Sequence, residues 1–547
     1  MHGRLKVKST AEQLERKKKE REEKLAKYNA AVNVIFAKRG VQAYDEPSLK
    51  ASAKVLESNP DFATLWNIRR DIFLRIREQE LDESFQALLE DELRFLEGCL
   101  RVNPKSYGTW HQRAWVMDHL PEPHWEKELA LCNKFLEYDE RNFHCWDYRR
   151  FLVNRCKKSP EKEIEFTTEK IKSNFSNYSS WHYRSKLLPL VHPDPSSHIG
   201  VQEPILLQEF EMTQNAFFTD PGDQSAWFYH RWLLGRGTND ISVLSVTVRP
   251  TSSVTVAMTK KVQSHHLAVG IDGQQVPVRW LNPRKFGWSH VWLGELDLTQ
   301  GGVVEVQYNE GPAVSLTYQG QQVTQYNLDR ALGFRDELSS AASSVLKAEL
   351  EACQQLHELE PDNKWALLTI VSLMRALDAT QYEQQIHESI IKLAELDPSR
   401  GRYYHDFLST CIMENYITAE GHELGRVNLS NMGLSRTVHM EHLAATKQLD
   451  LSFNKLKFVN DAEYLQCLEV LILDNNNLEN CDALKPLVKL HTLSLKNNEI
   501  KSVDNVASLR CCSALDTVVL TGNPLAKDKD IQSRLKAVLP NVKNLHL

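Results

Sequence analysis

Apolar positions along this chain change their period three times. From about residue 28 to 237 they recur at steps of three and four, the spacing that lines one face of a helix, and polar breaks such as Lys157-Lys158-Ser159-Pro160 cut the run into short helices. His192-Pro193-Asp194-Pro195-Ser196-Ser197 marks the longest loop within it. From about 241 to 326 the step becomes two, in short runs rich in Val, Thr and Tyr such as Leu244-Ser245-Val246-Thr247-Val248 and Val303-Val304-Glu305-Val306. Separated by Gly and Asn-Pro, these runs predict a small antiparallel sandwich, immunoglobulin-like but with no cysteine pair. Helical spacing returns near Leu328.

Within the helical stretches one phrase repeats. Asn103-Pro104-Lys105-Ser106-Tyr107 leads to Trp110 and Arg113; Asn59-Pro60 leads to Trp66 and Arg69, Asp139 to Phe143, Trp146 and Arg149, Asn174 to Tyr178, Trp181 and Arg184, and Asp220-Pro221 to Trp227 and Arg231. An Asn or Asp stands seven residues before each tryptophan, where a short side chain can cap a helix, and Pro suits the first turn because it has no N–H to leave unpaired. The tryptophans are 44, 36, 35 and 46 residues apart, room for a helix, a turn and a second helix per unit. The prediction is a helical-hairpin solenoid. Trp365 reads as a worn sixth copy and Leu396-Asp397-Pro398 as the start of a seventh, so the sandwich is an insertion into the helical series.

From about 424 a second repeat takes over. Leu429, Leu451, Leu473, Leu495 and Leu520 are spaced 22, 22, 22 and 25, and Asn454, Asn476, Asn498 and Asn523 hold one fixed place after them. This is the leucine-rich pattern, in which a short strand buries its leucines while the Asn side chain bonds turn backbone. Met432 replaces Asn in the first, terminal unit. The expected layout is multidomain and mainly α: helical hairpins over 1–237, inserted sandwich over 238–326, helical hairpins again over 327–423, and leucine-rich repeats over 424–547.

Composition narrows the function. A net charge of −6 and 25% charged residues give no footprint for nucleic acid. Met1-His2-Gly3-Arg4 opens no apolar signal core, and no run of about 18 apolar residues predicts a membrane span. Ten cysteines without a CxxC pair suit a reducing, cytoplasmic setting. Phosphate-loop, nucleophile-elbow and HExxH patterns are absent, His265-His266 falls in a predicted strand, and no metal-ligand set is assigned to this chain; Cys511 and Cys512 read as buried hydrophobes. Lys105 is the odd residue, a cation in the predicted first helical turn, where Asp61, Ser176 and Gly222 stand in other units and only Arg141 shares the charge. Spacing leaves two readings open: a solvated surface lysine, or a cation held for a visiting anion such as phosphate. Packing within the solenoid is the default role of His111, His144 and His182.

The five units, above all Asn103-Pro104-Lys105-Ser106-Tyr107 to Trp110-His111-Gln112-Arg113, resemble the alpha-subunit repeat of protein prenyltransferases. The inserted sandwich and terminal repeats are similar to the branch of that family acting on Rab GTPases. The resemblance implies an enzyme active only with a beta subunit, which carries the zinc and most of the isoprenoid pocket. It further implies transfer of geranylgeranyl from geranylgeranyl diphosphate to carboxy-terminal cysteines of Rab GTPases presented by an escort protein, which we expect to dock on the hairpins. On the same footing Lys105 matches the lysine that reaches the diphosphate, Tyr107 an active-site tyrosine and His144 a substrate-binding histidine. The competing expectation is a non-enzymatic scaffold of tetratricopeptide type, against which the variable 35- to 46-residue period and the Trp-Arg pairing weigh.

Overall fold

Each repeat tryptophan donates its indole N–H to the carbonyl six residues earlier: Trp66 to Pro60, Trp110 to Pro104, Trp146 to Glu140 and Trp181 to Phe175, all at 2.8 Å, and Trp227 to Pro221 at 3.0 Å. These bonds come from a computed structural model, which describes residues 11–40, 45–78, 82–195, 200–235, 241–249, 253–282, 287–296, 301–319, 324–327, 343–419, 425–528 and 530–547. The layout borders at 237/238 and 423/424 and the amino-terminal Met1-His2-Gly3-Arg4 lie outside those residues. The chain forms two compact units, Met1–Pro193 and Asp194–Leu547.

The first unit holds α1 (Ala11–Gly40), α2 (Glu46–Leu56), α3 (Ala63–Arg77), α4 (Asp82–Val102), α5 (Tyr107–His119), α6 (Trp125–Tyr138), α7 (Phe143–Cys156), α8 (Pro160–Ser173) and α9 (Tyr178–Val191). Its tryptophan helices begin three or four residues later than the sequence suggests. Asn103, Asp139 and Asn174 do not cap them; each accepts instead from the backbone N–H two residues on, at 3.1, 3.1 and 3.0 Å, and so turns the chain. The caps are Ser106, Asn142 and Asn177, four residues before each tryptophan. The indole explains the choice, because a helix starting at Pro104 would use the carbonyl that Trp110 needs. Lys105 therefore sits in the turn ahead of α5, not in its first helical turn. The same carbonyls link neighbours: Pro60 also accepts from the Ser106 hydroxyl at 3.0 Å, and Pro104 from the Asn142 amide at 2.9 Å. Gly108 permits this closeness, since a Cβ there would lie 2.6 Å from the Trp66 ring.

Three of the motif arginines are buried and paired with glutamates from the following helix. Arg69 bonds Glu92, Arg113 bonds Glu128 (Nε–Oε2 2.8 Å) and Arg149 bonds Glu163 (Nε–Oε2 2.8 Å). The next tryptophan helix reaches back to the same carboxylates through Gln112 (3.3 Å) and the Tyr148 hydroxyl (2.9 Å).

The second unit continues with α10 (Glu203–Thr219) and α11 (Gln224–Leu234), then an inserted antiparallel β region. One sheet orders β5 (Arg279–Leu281), β6 (Ser289–Glu295), β2 (Ser253–Val262), β1 (Val243–Arg249) and β9 (Thr324–Asn327); the other orders β4 (Gln274–Val276), β3 (Leu267–Ile271), β7 (Gly302–Tyr308) and β8 (Val314–Tyr318). Val246, Val256 and Trp292 meet Val269, Val304 and Val306 in one core. His265 and His266 lie in a short 3-10 turn rather than in a strand. Four further helices follow: α12 (Ser343–Leu359), α13 (Lys364–Asp378), α14 (Glu383–Leu396) and α15 (Gly401–Thr418).

Two motif positions shift here. The residue three after Trp227 is His230, not Arg231, and its Nε2 lies 2.7 Å from the Glu349 carboxylate, both buried. Asn363 caps α13 and its amide donates to Pro221 O at 2.7 Å, as Asn142 does to Pro104, so the repeat tryptophan's place falls to buried Leu367 and Trp365 is not its counterpart.

After α15 come six parallel strands, β10 (Arg426–Asn428), β11 (Gln448–Asp450), β12 (Val470–Ile472), β13 (Thr492–Ser494), β14 (Thr517–Val519) and β15 (Asn544–His546), in chain order and consistent with a leucine-rich-repeat-like region. Buried Asn476 donates to Leu451 O (2.9 Å) and Leu473 O (3.1 Å) and accepts from Leu456 N (3.0 Å), and Asn454, Asn498 and Asn523 bond likewise. Its core takes in Leu244, Ala257 and Val291 of the β insertion and Met413 and Ile417 of α15.

The carboxylate pairs set a stability test. Glu163→Ala strands the Arg149 guanidinium, whose side chain is 1% exposed, and should cost about 3–5 kcal/mol in urea unfolding. Arg149→Met combined with Glu163→Leu should recover most of that loss.

Candidate functional site

The turn before α5 and the first turn of α7 place Lys105, Tyr107 and His144 together. Asn103 fixes the backbone at Lys105, whose side chain is 63% exposed and whose Nζ lies 3.4 Å from Asp139 Oδ2. Asp139 is itself held by the Arg141 N–H, which donates to Oδ1 at 3.1 Å. Tyr107 is 70% exposed, and its ring meets that of His144 edge-on, with centroids 4.2 Å apart and planes at 85°. Phe143 closes the group, its centroid 3.9 Å from His144 and 6.1 Å from Tyr107.

His144 is buried, and loss of solvent pushes its pKa below the ordinary value; the Lys105 charge acts in the same direction, while Asp147 and Asp61 oppose. The imidazole is therefore mainly neutral at pH 7, able to donate one N–H and accept at its other nitrogen. His111 and His182, one position after their tryptophans, are shifted down by burial as well. The Arg70 guanidinium donates to His111 Nδ1 at 2.8 Å, which assigns the His111 proton to Nε2. The structure thus gathers the three expected site residues, while His111 bonds α3 and His182 stacks beside Tyr178 at 6.0 Å. Asp139 and Phe143 were not singled out from sequence, although both belong to the repeated phrase.

Chemically the group offers an exposed ammonium, an exposed phenol and a neutral imidazole beside two helix starts. That set suits an anion with several oxygens. It does not suit zinc, which takes several N, S or carboxylate ligands, and a single imidazole cannot hold it. Cys511 and Cys512 supply no alternative set: Cys511 is exposed, and the buried Cys512 thiol donates to Leu484 O at 3.3 Å.

Residues 89–120, 125–156, 160–190 and 206–237 match the protein prenyltransferase alpha subunit repeat. Over its full length the chain is 43% identical to the geranylgeranyl transferase type-2 subunit alpha of Bos taurus and 43% identical to that of Homo sapiens, with 100% of each protein covered. The Saccharomyces cerevisiae protein of the same name is 36% identical over 249 residues, which is 44% of this chain and 73% of the yeast one.

The buried imidazoles predict a pH response. The unfolded chain, with ordinary histidines near pKa ~6.5, takes up protons more readily than the folded one at these sites, so their contribution is intact above about pH 6.5 and is lost as pH falls below it. Thermal midpoints measured from pH 7.5 down to 5.5 should drop, and His144→Asn should make the drop shallower.

Proposed function

The chain belongs to the protein prenyltransferase alpha-subunit family, among the type-2 geranylgeranyl transferase alpha subunits, and from that premise we propose that Lys105, Tyr107 and His144 hold the diphosphate of geranylgeranyl diphosphate. One observation carries this reading: Lys105 is the charged residue of that cluster, it is largely exposed, and its ammonium makes a long ion pair with a partly exposed carboxylate. Such a contact is worth little and is readily exchanged for a phosphate.

When a carboxy-terminal cysteine of a Rab GTPase attacks C1 of the isoprenoid, the C1–O bond breaks and charge grows on the departing diphosphate. A cation already aimed at that oxygen stabilises the transition state more than the ground state. Lys105 supplies the cation, the Tyr107 hydroxyl a hydrogen bond, and neutral His144 a further donor that also fixes the Tyr107 ring. Zinc would make the attacking thiol a thiolate; these three residues cannot ligate it, and we assign it to the beta subunit.

The same reading assigns a cytoplasmic setting, an escort protein that presents the Rab and docks on the helical repeats, an immunoglobulin-like sandwich for the inserted sheets, and leucine-rich repeats for the parallel strands. No helix among the described residues is long and apolar enough to cross a membrane. The layout 1–237, 238–326, 327–423 and 424–547 follows with it.

Lys105→Ala in the assembled heterodimer should slow single-turnover transfer roughly ten- to hundredfold, the equivalent of about 1.5–3 kcal/mol of charged hydrogen bonding. Wild-type speed would refute the role. Joint removal of 238–326 and 424–547 should leave transfer largely intact once Met413 and Ile417, which that deletion uncovers, are made polar. Removing one module alone should lower the thermal midpoint, because both share that core.

A further inference from the structure

Where α15, the β insertion and the first parallel repeat of the second unit meet, three histidines and two glutamates converge outside the site described above. His439 precedes a 3-10 turn, Met440–Leu443, at a left-handed φ of 55°, and the His442 N–H donates to His439 O at 3.0 Å. Three residues per turn bring positions 439 and 442 onto one side. Ligand atoms of His439, Glu441 and His442 all lie within 4.8 Å of one another.

The surroundings of His439 are those of a metal-ligating imidazole. Its Nε2 lies 3.2 Å from Glu414 Oε1, and Glu414 is held by the Arg375 guanidinium, which donates to Oε2 at 2.7 Å. A carboxylate on one nitrogen takes its N–H, and the other nitrogen is then filled either by a metal ion or by a second proton. That other nitrogen, Nδ1, faces Glu441 Oε1 at 3.6 Å. A lone pair and a carboxylate oxygen repel at that separation unless a positive charge stands between them. The gap is close to the ~3.3 Å ligand-to-ligand edge of a tetrahedral zinc site with bonds of about 2.0–2.1 Å. His290 on β6 shows the same outer-shell habit: its Nδ1 lies 3.1 Å from the Met258 carbonyl, so an N–H there leaves Nε2 as the acceptor, and the β insertion packs on the 3-10 turn through β2.

We propose that His439, Glu441 and His442 bind a divalent zinc ion, with Glu414 and Arg375 as its outer shell and a fourth position left for water or His290. Its role is structural: the ion joins the first parallel repeat to α15 through Glu414 and, with His290 in the fourth position, to the β insertion. A proton on Nδ1 is the competing occupant, making His439 an imidazolium between two carboxylates. A proton needs only that pair, however, and does not account for the third donor that His442 brings to the same point.

The test uses the assembled heterodimer, equilibrated with micromolar zinc and dialysed, and reads bound zinc by mass spectrometry. Wild type should carry about one equivalent more than His442→Ala or the isosteric Glu441→Gln, whatever zinc the partner holds. Added zinc should raise the thermal midpoint of wild type and not of either variant. Neither residue belongs to the candidate active site, so unchanged prenyl transfer in the variants serves as the check that they fold. Equal zinc content in all three proteins, with equal melting, would overturn the proposal and leave the proton as occupant.

Discussion

A carboxylate buried between successive helical pairs is the interaction on which the first unit depends. Glu92, Glu128 and Glu163 are each almost sealed from water, and each is met by the arginine of the preceding tryptophan helix. Gln112 and Tyr148 then bond Glu92 and Glu128 from the helix that follows. Such a group is costly when a partner is lost, so it tolerates one register and few others. His230 with Glu349 plays the same part beside the β insertion. Register, more than burial of apolar area, is what lets α5 and α7 present their first turns side by side.

At one position of that frame the side chain differs in charge from unit to unit. The residue five before each tryptophan is Asp61, Lys105, Arg141, Ser176 or Gly222. Its neighbours are committed: the preceding carbonyl takes the indole, and the residue one further on is the cap in four of the five units. The side chain there serves different units differently: Asp61 accepts from the Asn103 amide at 2.9 Å, and Lys105 is the variant that puts an ammonium near His144.

The repeats were legible because tryptophan is rare and its spacing to the arginine is fixed by the buried pair. Their fine register was not. Asn103 and Ser106 are both capable caps, and only the indole's demand for the Pro104 carbonyl decides between them. Arg231 drew attention from His230 because arginine fills that place in the other units, and Trp365 did so from Leu367 because a tryptophan is conspicuous wherever it falls. Five of the six parallel strands were legible from the Asn ladder, whose hydrogen bonds are local and periodic; β15, which no such Asn follows, was not. The His439 cluster was missed for the opposite reason: Glu414, His290 and the 439–442 turn come from three separate segments, and no spacing along the chain announces their meeting.

The account stands on Lys105 exchanging Asp139 for a phosphate. A structure of the heterodimer with a non-reactive geranylgeranyl diphosphate analogue tests it most directly. The prediction is Lys105 Nζ within about 3 Å of a diphosphate oxygen and no longer on Asp139. Finding the ammonium still paired with Asp139, and the diphosphate bound elsewhere, would contradict it.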